Sequence, residues 1–288
     1  MSAVRRKIVV GLDSSNEARR ALAWACESAG PDDEILAIYA WEPPGVGGYS
    51  PAPPPATSFE SFEHVAEADL HRMVAEANDA RVCGMARRGS PGREIVAEGS
   101  DADMIVVGHR GEGRMSLMLG STANYVLHHA AQPVVVLHGD PIAPPRRVVV
   151  GVEDQRRDDR NENASIRALQ WAYELPGLEE VRVMHAWSIQ PFIWDFVANV
   201  PQYLNELDEG AAAVIERVLD AAGDPPDGVK VIDEVVRDST SHALIDASMD
   251  SDLVVVGSHG RGSWTGLLLG STSQAVAAHA QAPVAVIR

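Results

Sequence analysis

The sequence predicts an α/β protein made of two tandem doubly wound domains, each a five-stranded parallel sheet flanked by about four helices. Two observations support this prediction. The second half of the chain repeats segments of the first half in the same order, and short apolar runs alternate with longer segments of helical spacing in both halves. Strands that alternate with helices form parallel sheets with helices on both faces.

The internal repeat is visible along the whole chain. RRKIVVGLDSS near the start matches RRVVVGVEDQ from Arg146, and ARRALAWA from Ala18 matches SIRALQWA from Ser165. Three further segments, ILAIYAWEPP, GREIVAEGSDADMIVVG and AQPVVVLHG, have counterparts in the same order: VRVMHAWSIQP, HALIDASMDSDLVVVG and QAPVAVIR. A proline-rich stretch, GDPIAPPR, separates the halves and interrupts regular hydrogen bonding. The predicted domains are therefore residues 1–140 and 145–288.

Each half contains both kinds of element. KIVVGL and ILAIYAW are rich in Ile and Val and are bounded by turn residues, as in buried strands. EARRALAWACESA has helical spacing, with Ala18, Ala21, Leu22 and Ala25 on one face. FEHVAEADLHRMVAEANDA and its counterpart LDEGAAAVIERVLDAA are the predicted long helices. Right-handed crossovers should connect the parallel strands.

Composition limits the classes of partner. The net charge of −17 argues against nucleic acid and anionic membranes, because both would repel the chain. No apolar run approaches the ~20 residues that span a bilayer. The start, MSAVRRKIVVGLD, does not resemble a signal peptide, so we expect a cytoplasmic protein. The two cysteines, Cys26 and Cys83, give no disulfide framework and no metal-ligand spacing, and we expect both to be buried thiols.

A glycine-rich segment follows the fourth predicted strand of each half. IVVGHRGEGRMSLMLGST begins at Ile105, and VVVGSHGRGSWTGLLLGST begins at Val254. In a doubly wound sheet, ligands bind beyond the carboxyl ends of strands where successive connections diverge. If the first and fourth strands are neighbours, the glycine-rich segment and the loop after the first strand form one crevice. A tight connection is the alternative, but the segment is longer than a turn requires and occurs twice.

The residue types in this crevice favour an anion. Glycines let backbone N–H groups approach a phosphate closely, and a helix that begins at Ser121 or Ser271 favours negative charge at its start. Each serine could either cap its helix or bind a phosphate, and the sequence leaves both roles open.

VVVGSHGRGSWTGLLLGST resembles the signature of the ATP-binding universal stress proteins, in which a glycine, two residues, a second glycine and nine residues precede Gly-Ser. The resemblance covers nearly the whole chain, as two tandem universal stress domains. It implies a regulatory stress-response protein that holds ATP in each half, with Mg²⁺ accompanying the nucleotide. Occupancy would then alter its conformation or its binding of a partner.

The resemblance also implies which residues contact the nucleotide. Asp13 is similar to an acidic residue at the adenosine, the backbone of Ala40 and Ala186 would read the adenine edge, and the glycines and hydroxyls would surround ribose and phosphates. His259 matches a polar position near the phosphates, although a loop histidine can simply be exposed. The complete set is Gly11, Asp13, Ala40, Gly108, Gly111, Gly120, Ser121 and Thr122 in the first half, and Gly151, Glu153, Ala186, Gly257, His259, Gly260, Gly270, Ser271 and Thr272 in the second.

Each half departs from the family pattern once. Only eight residues separate Gly111 from Gly120 in the first half, one fewer than the signature has. In the second half Glu153 replaces the aspartate, and its extra methylene moves the carboxylate by ~1 Å, enough to disturb a direct hydrogen bond. We therefore expect both halves to bind adenine nucleotide with unequal affinity.

The sequence offers little for catalysis. It has no GxxxxGK[ST] loop, no SGGxDS segment, and no Ser-His-Asp or Cys-His order common to both halves. His64 with His71 and His128 with His129 are interpreted as surface residues, so we expect no metal centre. We expect at most slow ATP hydrolysis. The alternatives are an enzyme that uses ATP for hydrolysis or adenylation, and a structural dimerisation module with vestigial loops.

Each half ends in a short apolar strand introduced by proline, PVVVL at residues 133–137 and PVAVI at residues 283–287. An apolar strand at a sheet edge favours pairing with another strand. The resemblance implies that this strand builds a dimer, so we expect the two halves to pair through it. We also expect tandem chains to form a homodimer.

Overall fold

The structure, a computed structural model, describes residues 5–42, 56–110, 119–153, 163–189, 200–258 and 269–288, with only the backbone described for residues 56–60. The chain divides into two compact units, Met1–Ala143 (unit 1) and Pro144–Arg288 (unit 2). The division lies within the proline-rich stretch between the repeats. No helix among the described residues is both long and apolar enough to cross a membrane.

Unit 1 alternates strands and helices along the chain. Its strands are β1 (Lys7–Leu12), β2 (Glu34–Trp41), β3 (Val82–Arg88), β4 (Met104–Gly108) and β5 (Val134–Leu137). Its helices are α1 (Asn16–Ser28), α2 (Ala56–Ala77), α3 (Pro91–Glu98) and α4 (Ser121–His129). The strands are parallel and lie in the order β3-β2-β1-β4-β5.

Unit 2 repeats this arrangement. Its strands are β6 (Arg147–Gly151), β7 (Glu180–Ala186), β8 (Lys230–Val236), β9 (Leu253–Gly257) and β10 (Val284–Ile287). Its helices are α5 (Ala164–Tyr173), α6 (Val200–Ala222), α7 (Thr240–Ala247) and α8 (Ser271–His279). These strands are also parallel and lie in the order β8-β7-β6-β9-β10.

The helices of each unit form two layers. In unit 1, α1 packs with α2 and α3 packs with α4, and the same pairing holds for α5 with α6 and α7 with α8. Right-handed crossovers that run in opposite directions along a sheet place their helices on opposite faces. The predicted α/β class, with doubly wound five-stranded parallel sheets, is therefore confirmed.

Apolar burial explains why these segments form these elements. The central strands β4 and β9 and the last strands β5 and β10 are nearly continuous runs of buried Val, Ile and Leu, as expected for parallel strands covered on both faces. In α1, the predicted face of Ala18, Ala21, Leu22 and Ala25 is buried, and Trp24 is buried as well. Burial of such side chains stabilises the fold by roughly 25 cal/mol per Å² of apolar surface.

A repeated aspartate fixes the first strand of each unit beside its fourth. Asp103 lies just before β4, and its Oδ2 accepts a hydrogen bond from the backbone N–H of Lys7 at 2.7 Å. The Oδ2 of Asp252, before β9, accepts from the backbone N–H of Arg147 at 2.9 Å. These bonds lie at the amino ends of the central strands and so hold their register at the edge opposite the predicted crevice.

The expectation that both cysteines are buried is wrong for Cys83. Cys26 in α1 is partly buried, but Cys83 in β3 is exposed. A Cβ on the neighbouring residue Gly84 would contact Leu70 of α2, so Gly84 faces α2 and the alternation of the strand directs Cys83 to the other face. The helix α3 on that face packs mainly on β1 and β2, which leaves the outer strand β3 uncovered there.

Candidate functional site

The carboxyl ends of β1 and β4 form the point at which the topology of unit 1 reverses. β1 lies between β2 and β4, and β6 lies between β7 and β9 in the same way. The chain leaves β1 towards β2 and leaves β4 towards β5, so the connections diverge and open a crevice between the two strand ends. The expectation that the first and fourth strands are neighbours is confirmed in both units.

Asp13 follows β1 and is held by the turn that begins α1. Its Oδ1 accepts hydrogen bonds from the backbone N–H of Ser15, at 3.0 Å, and from the Ser15 hydroxyl. Ser15 is the N-cap of α1, since its Oγ accepts from the backbone N–H of Ala18 at 3.1 Å. The first helix and the carboxylate are therefore positioned by the same short segment.

Glu153 follows β6 but is held differently. Its backbone N–H donates to the hydroxyl of Ser165 at 2.9 Å, and that hydroxyl lies 3.3 Å from the Glu153 carbonyl oxygen, to which it donates. Asn163 is the N-cap of α5 and accepts from the backbone N–H of Ser165 at 2.9 Å. Here α5 holds the backbone of the acidic residue, whereas in unit 1 the N-cap of α1 holds the carboxylate of Asp13.

Ala40 and Ala186 are buried at the carboxyl ends of β2 and β7. The residue after each alanine bonds to the outer strand: the Trp41 carbonyl accepts from Gly89 N–H at 3.0 Å, and Trp187 N–H donates to the Val236 carbonyl at 2.9 Å. Successive residues of a strand direct their backbone groups to opposite neighbours. The backbone groups of both alanines therefore point towards the side on which β1 and β6 end, beside the crevice. The Ala186 carbonyl also accepts from the Thr240 hydroxyl at 3.5 Å.

The glycines near the ends of the first strands are explained by packing. A Cβ on Gly11 would lie 2.5 Å from Cδ1 of Ile95 in α3, and a Cβ on Gly151 would lie 2.8 Å from Cδ1 of Leu244 in α7. Contacts this short do not occur between real side chains, so a larger residue would force the side chain of Ile95 or Leu244 to repack. Sequence reasoning missed this role, because the sequence alone does not distinguish a glycine required for close packing of a helix from one required for close approach of a ligand.

The glycines at the ends of the fourth strands have the same explanation. A Cβ on Gly257 would lie 2.7 Å from Cβ of Ala164, in the first turn of α5. A Cβ on Gly108 would lie 3.1 Å from Cβ of Glu17, in the first turn of α1. The first turn of each helix thus lies directly against the end of the fourth strand. This packing brings Glu17 of unit 1 into the crevice region, where unit 2 has Ala164.

The two ends of each glycine-rich segment are joined by a backbone hydrogen bond. Gly120 N–H donates to the His109 carbonyl at 2.9 Å, and Gly270 N–H donates to the Ser258 carbonyl at 2.8 Å. The bond places the start of α4 beside the end of β4, and the start of α8 beside the end of β9. Gly111, His259 and Gly260, which the sequence also singles out, lie outside the described residues.

The hydroxyl residues at these helix starts do not act as caps. Gly120 and Gly270 occupy the N-cap positions, without a side-chain cap hydrogen bond, so the capping role considered for Ser121 and Ser271 is wrong. Both serines are the first helical residues and are exposed, and the Thr that follows each of them, at positions 122 and 272, is partly exposed. Hydroxyls and first-turn N–H groups therefore face outward together at each helix start.

Comparison with known proteins assigns the chain to a family. The model of the Universal stress protein family matches residues 5–138 and again residues 145–288. The chain belongs to the universal stress protein family. It is similar to a universal stress protein of Mycolicibacterium smegmatis, with 33% identity over 298 residues that cover 100% of this chain and 98% of the relative. Universal stress protein Rv1996 of Mycobacterium tuberculosis is 30% identical over 307 residues, which cover 98% and 94% of the two chains.

Solved structures support the fold. The crystal structure of a universal stress protein from Archaeoglobus fulgidus matches with a TM-score of 0.67 at 20% identity, covering 98% of this chain and 96% of that one. A functionally unknown protein from Pseudomonas aeruginosa, PA1789, matches with a TM-score of 0.62 at 16% identity over 99% and 92% of the two chains. At these identities the likeness shows the fold alone.

Both universal stress domains also carry a Trp–Arg pair beside the crevice that sequence reasoning missed. The guanidinium of Arg88 lies 6.0 Å from the ring centroid of Trp41, and that of Arg237 lies 5.8 Å from Trp187. In unit 2, Asp208 of α6 accepts from Trp187 Nε1 at 3.1 Å and from Arg237, whose hydrogen bond lowers the pKa of the Asp208 carboxyl. The sequence could have indicated this pair, because Ala-Trp occurs at the end of the second strand and Arg near the end of the third strand in both repeats.

Unit 1 of this universal stress chain contains a second feature that the sequence did not indicate. The rings of His109 and His138, which follow β4 and β5, are both buried, and their centroids lie 4.2 Å apart. The matching residues of unit 2 are Ser258 and Arg288, so the contact is not repeated. Among the described residues, no group of three or more His, Cys, Asp or Glu side chains could hold a metal ion.

Proposed function

We propose that each universal stress domain binds one adenine nucleotide, with ATP as the natural occupant, in the crevice between the ends of its first and fourth strands. The observation that carries this proposal is the convergence of three features at one sheet edge. These are the reversal of topology, the inward-facing backbone of Ala40 or Ala186, and an acidic side chain, Asp13 or Glu153. An amide and a carbonyl at this edge match the donor and acceptor pattern of an adenine edge.

The starts of α4 and α8 would take the phosphates. Each helix start presents free backbone N–H groups and the positive end of the helix dipole, beside the exposed hydroxyl of Ser121 or Ser271. Mg²⁺ would accompany the nucleotide, because it is commonly bound through the phosphates of a substrate rather than by an all-protein site. The base end and the phosphate end of the crevice are then formed by different elements, which fixes the orientation of the ligand.

The two sites would differ in affinity. The Asp13 carboxylate is already ordered by Ser15, so it meets the ribose without further loss of conformational freedom. Glu153 has a longer side chain, and its extra methylene moves the carboxylate by ~1 Å relative to that of an aspartate at this position. The tighter site would therefore be that of unit 1.

The biological role that fits this arrangement is regulatory. Bound nucleotide would stabilise one arrangement of the crevice loops, and a partner would sense that arrangement in the cytoplasm. Turnover would be slow, because the sequence has no GxxxxGK[ST] loop and no Ser-His-Asp or Cys-His order common to both halves. Phosphate release faster than ~1 s⁻¹, within the ordinary range of enzymes, would indicate an ATP-using enzyme instead.

Titration calorimetry of the full chain with Mg·ATP tests the proposal. We expect a two-site isotherm, with the tighter site weakened by Asp13→Asn and the weaker one by Glu153→Gln. Gly120→Ala and Gly270→Ala should each weaken one site without disturbing the backbone, since φ is −62° and −64° at these residues and alanine accepts both. Asp32→Asn, an exposed change before β2, is the control. Absence of binding, or two indistinguishable sites, would contradict the proposal.

A further inference from the structure

We propose that Asp69 of α2, acting through Ser14, positions the Asp13 carboxylate for the nucleotide in unit 1. This inference rests on the proposed nucleotide site and extends it to α2, a helix that packs on β2 and β3. Ser14 lies between Asp13 and the N-cap residue Ser15, so its conformation determines where the Asp13 carboxylate points. Asp69 is therefore a positioning residue, which acts on the ligand only through its neighbours.

The hydroxyl of Ser14 joins two elements of the fold. Its Oγ donates to Oδ2 of Asp69 at 3.0 Å and lies 2.8 Å from the hydroxyl oxygen of Tyr39, in β2. A serine hydroxyl has one hydrogen to donate, so the Tyr39 hydroxyl donates to Ser14 and Ser14 donates to Asp69. This chain of two hydrogen bonds ends on a carboxylate and fixes the Ser14 side chain between β2 and α2.

The Asp69 carboxylate is itself oriented and shielded from water. Its Oδ1 accepts from Nη2 of Arg72, three residues further along α2, so its two oxygens serve different partners. Only 20% of the Asp69 side chain is exposed, against 54% of the Arg72 side chain. Because water competes less for a shielded acceptor, the hydrogen bond from Ser14 is stronger than one made at the open surface.

The backbone of Ser14 is held by α1 and α2 together. Its carbonyl accepts from Nη1 of Arg19, in α1, at 3.0 Å, and Nε of Arg19 donates to Oε2 of Glu76, in α2, at 3.3 Å. The side chain and the carbonyl of Ser14 are thus both connected to α2. The neighbouring Asp13 carboxylate, which accepts from Ser15, is left with few conformations, and such preorganisation reduces the entropy lost when a ligand binds.

The repeat makes this arrangement specific to unit 1. The buried faces of α2 and α6 align with each other: Ala66, Leu70 and Met73 with Ala211, Ile215 and Val218. In this alignment Val214 corresponds to Asp69, and a valine side chain accepts no hydrogen bond. Unit 2 holds its first-strand loop in another way: Nδ1 of His185, the counterpart of Tyr39, lies 2.7 Å from the Val152 carbonyl oxygen, to which it donates. An effect of Asp69 on nucleotide binding is therefore expected at only one of the two sites.

Titration calorimetry of the full chain with Mg·ATP tests this role. Asp69→Val introduces the residue of unit 2, and it should lower the affinity of the site that Asp13→Asn weakens by about five- to tenfold. The other site should stay within about twofold. Ser14→Ala removes the linking hydroxyl without altering α2 and should cause the same loss. Asp69→Asn should retain most of the affinity, because its amide oxygen still accepts from Ser14. The control is Glu67→Val, at an exposed position of the same helix.

A double-mutant cycle separates positioning from a general loss of structure. If Asp69 acts through Asp13, Asp69→Val should change the affinity of an Asp13→Ala chain by less than about twofold, whereas independent effects would multiply. A second measurement needs no nucleotide. The Ser15 amide donates to the Asp13 carboxylate, so Asp69→Val should speed its hydrogen exchange by about fivefold.

The outcomes separate this inference from the proposed function. Losses that multiply in the cycle would show that Asp69 does not act through Asp13 and would overturn its role. Unchanged affinity of Asp69→Val, or unchanged exchange of the Ser15 amide, would overturn it as well, while leaving the nucleotide site in place. If the unaltered chain binds no nucleotide, the proposed function itself fails, and the role of Asp69 in binding fails with it.

Discussion

The side chain of Arg81 caps the carboxyl end of α1. It precedes β3, and its guanidinium donates to the carbonyl oxygens of Cys26, Ala29 and Gly30 at 2.7 to 2.8 Å, where α1 ends. The last carbonyls of a helix have no hydrogen-bond partner within the helix, and they lie at the negative end of the helix dipole. A guanidinium there both donates hydrogen bonds to these carbonyls and interacts favourably with the dipole. Asp79 orients the guanidinium, and the hydrogen bond from Arg81 lowers the pKa of the Asp79 carboxyl to about 2.

We expect Asp79→Asn to lower the free energy of unfolding at pH 7 by about 1.5–3 kcal/mol, the usual range for a hydrogen bond to a charged group. The folded pKa lies below the unfolded value of about 3.9, so the contribution is complete above roughly pH 5 and is lost as the pH falls towards 2. Urea unfolding between pH 2 and pH 7 measures this. A difference between variant and parent that stays constant with pH would contradict it.

The two thiols should differ in reactivity. Burial, followed by the nearby Asp79 carboxylate, raises the pKa of Cys26 to about 11, whereas Cys83 is exposed on β3. At pH 8 only about one Cys26 in a thousand would be the reactive thiolate. An aromatic disulfide reagent should therefore modify Cys83 promptly and Cys26 only on unfolding. In the variant Cys83→Ser, the prompt reaction should disappear and only the reaction that requires unfolding should remain. Equal rates for both thiols would show that α1 does not shield Cys26.

At the scale of elements, the close approach of the helices to the strand ends determines where glycine is required. Gly257 in β9 meets Ala164 of α5, and the equivalent contact in unit 1 is between Gly108 and Glu17. These contacts bring helix starts to the carboxyl edge of the sheet. The same packing thus builds the fold and places N–H groups beside the crevice.

We expect Gly257→Ala to destabilise the chain by about 1–3 kcal/mol without any ligand, because the new Cβ would lie 2.7 Å from the Ala164 Cβ. The matched control is Gly210→Ala in α6, where no atom lies within 4 Å of the new Cβ. That change should stabilise the chain by up to about 1 kcal/mol, since alanine favours helix interiors. Thermal unfolding of both variants without nucleotide makes the comparison. Equal effects would contradict the packing role of Gly257.

Local patterns predicted the elements well, because a strand or helix is specified by the spacing of its own apolar residues, as in α1. The place of the crevice followed from the repeat and the fold class. Contacts between elements were not predictable. The exposure of Cys83 depends on which strand is outermost, the Trp187–Asp208 bond joins residues far apart in sequence, and Ser121 lost its capping role because Gly120 takes that position. Each of these depends on tertiary packing.

At the scale of the whole molecule, pairing of the repeats through their terminal strands stays a prediction, and hydrogen exchange can test it. The carbonyls of Pro133 and Leu137 accept from Ile105 and His109, so alternation directs the amides of Val134 and Val136 away from β4. If these amides meet another strand, they should exchange as slowly as those that face β4.

The same reasoning applies to β10, where the carbonyls of Pro283 and Ile287 accept from residues in and after β9. Rapid exchange at the outward amides of both strands would contradict pairing through them. The further expectation of a homodimer of tandem chains is tested by sedimentation at two protein concentrations, since mass action links association to concentration.

The central claim is that each universal stress domain holds an adenine nucleotide at the edge where its topology reverses. A crystal structure of the chain grown with millimolar Mg·ATP tests it most directly. We expect density in both crevices, with the base against the backbone of Ala40 and of Ala186 and the phosphates at the starts of α4 and α8. Empty crevices, or nucleotide bound elsewhere on the molecule, would contradict the claim.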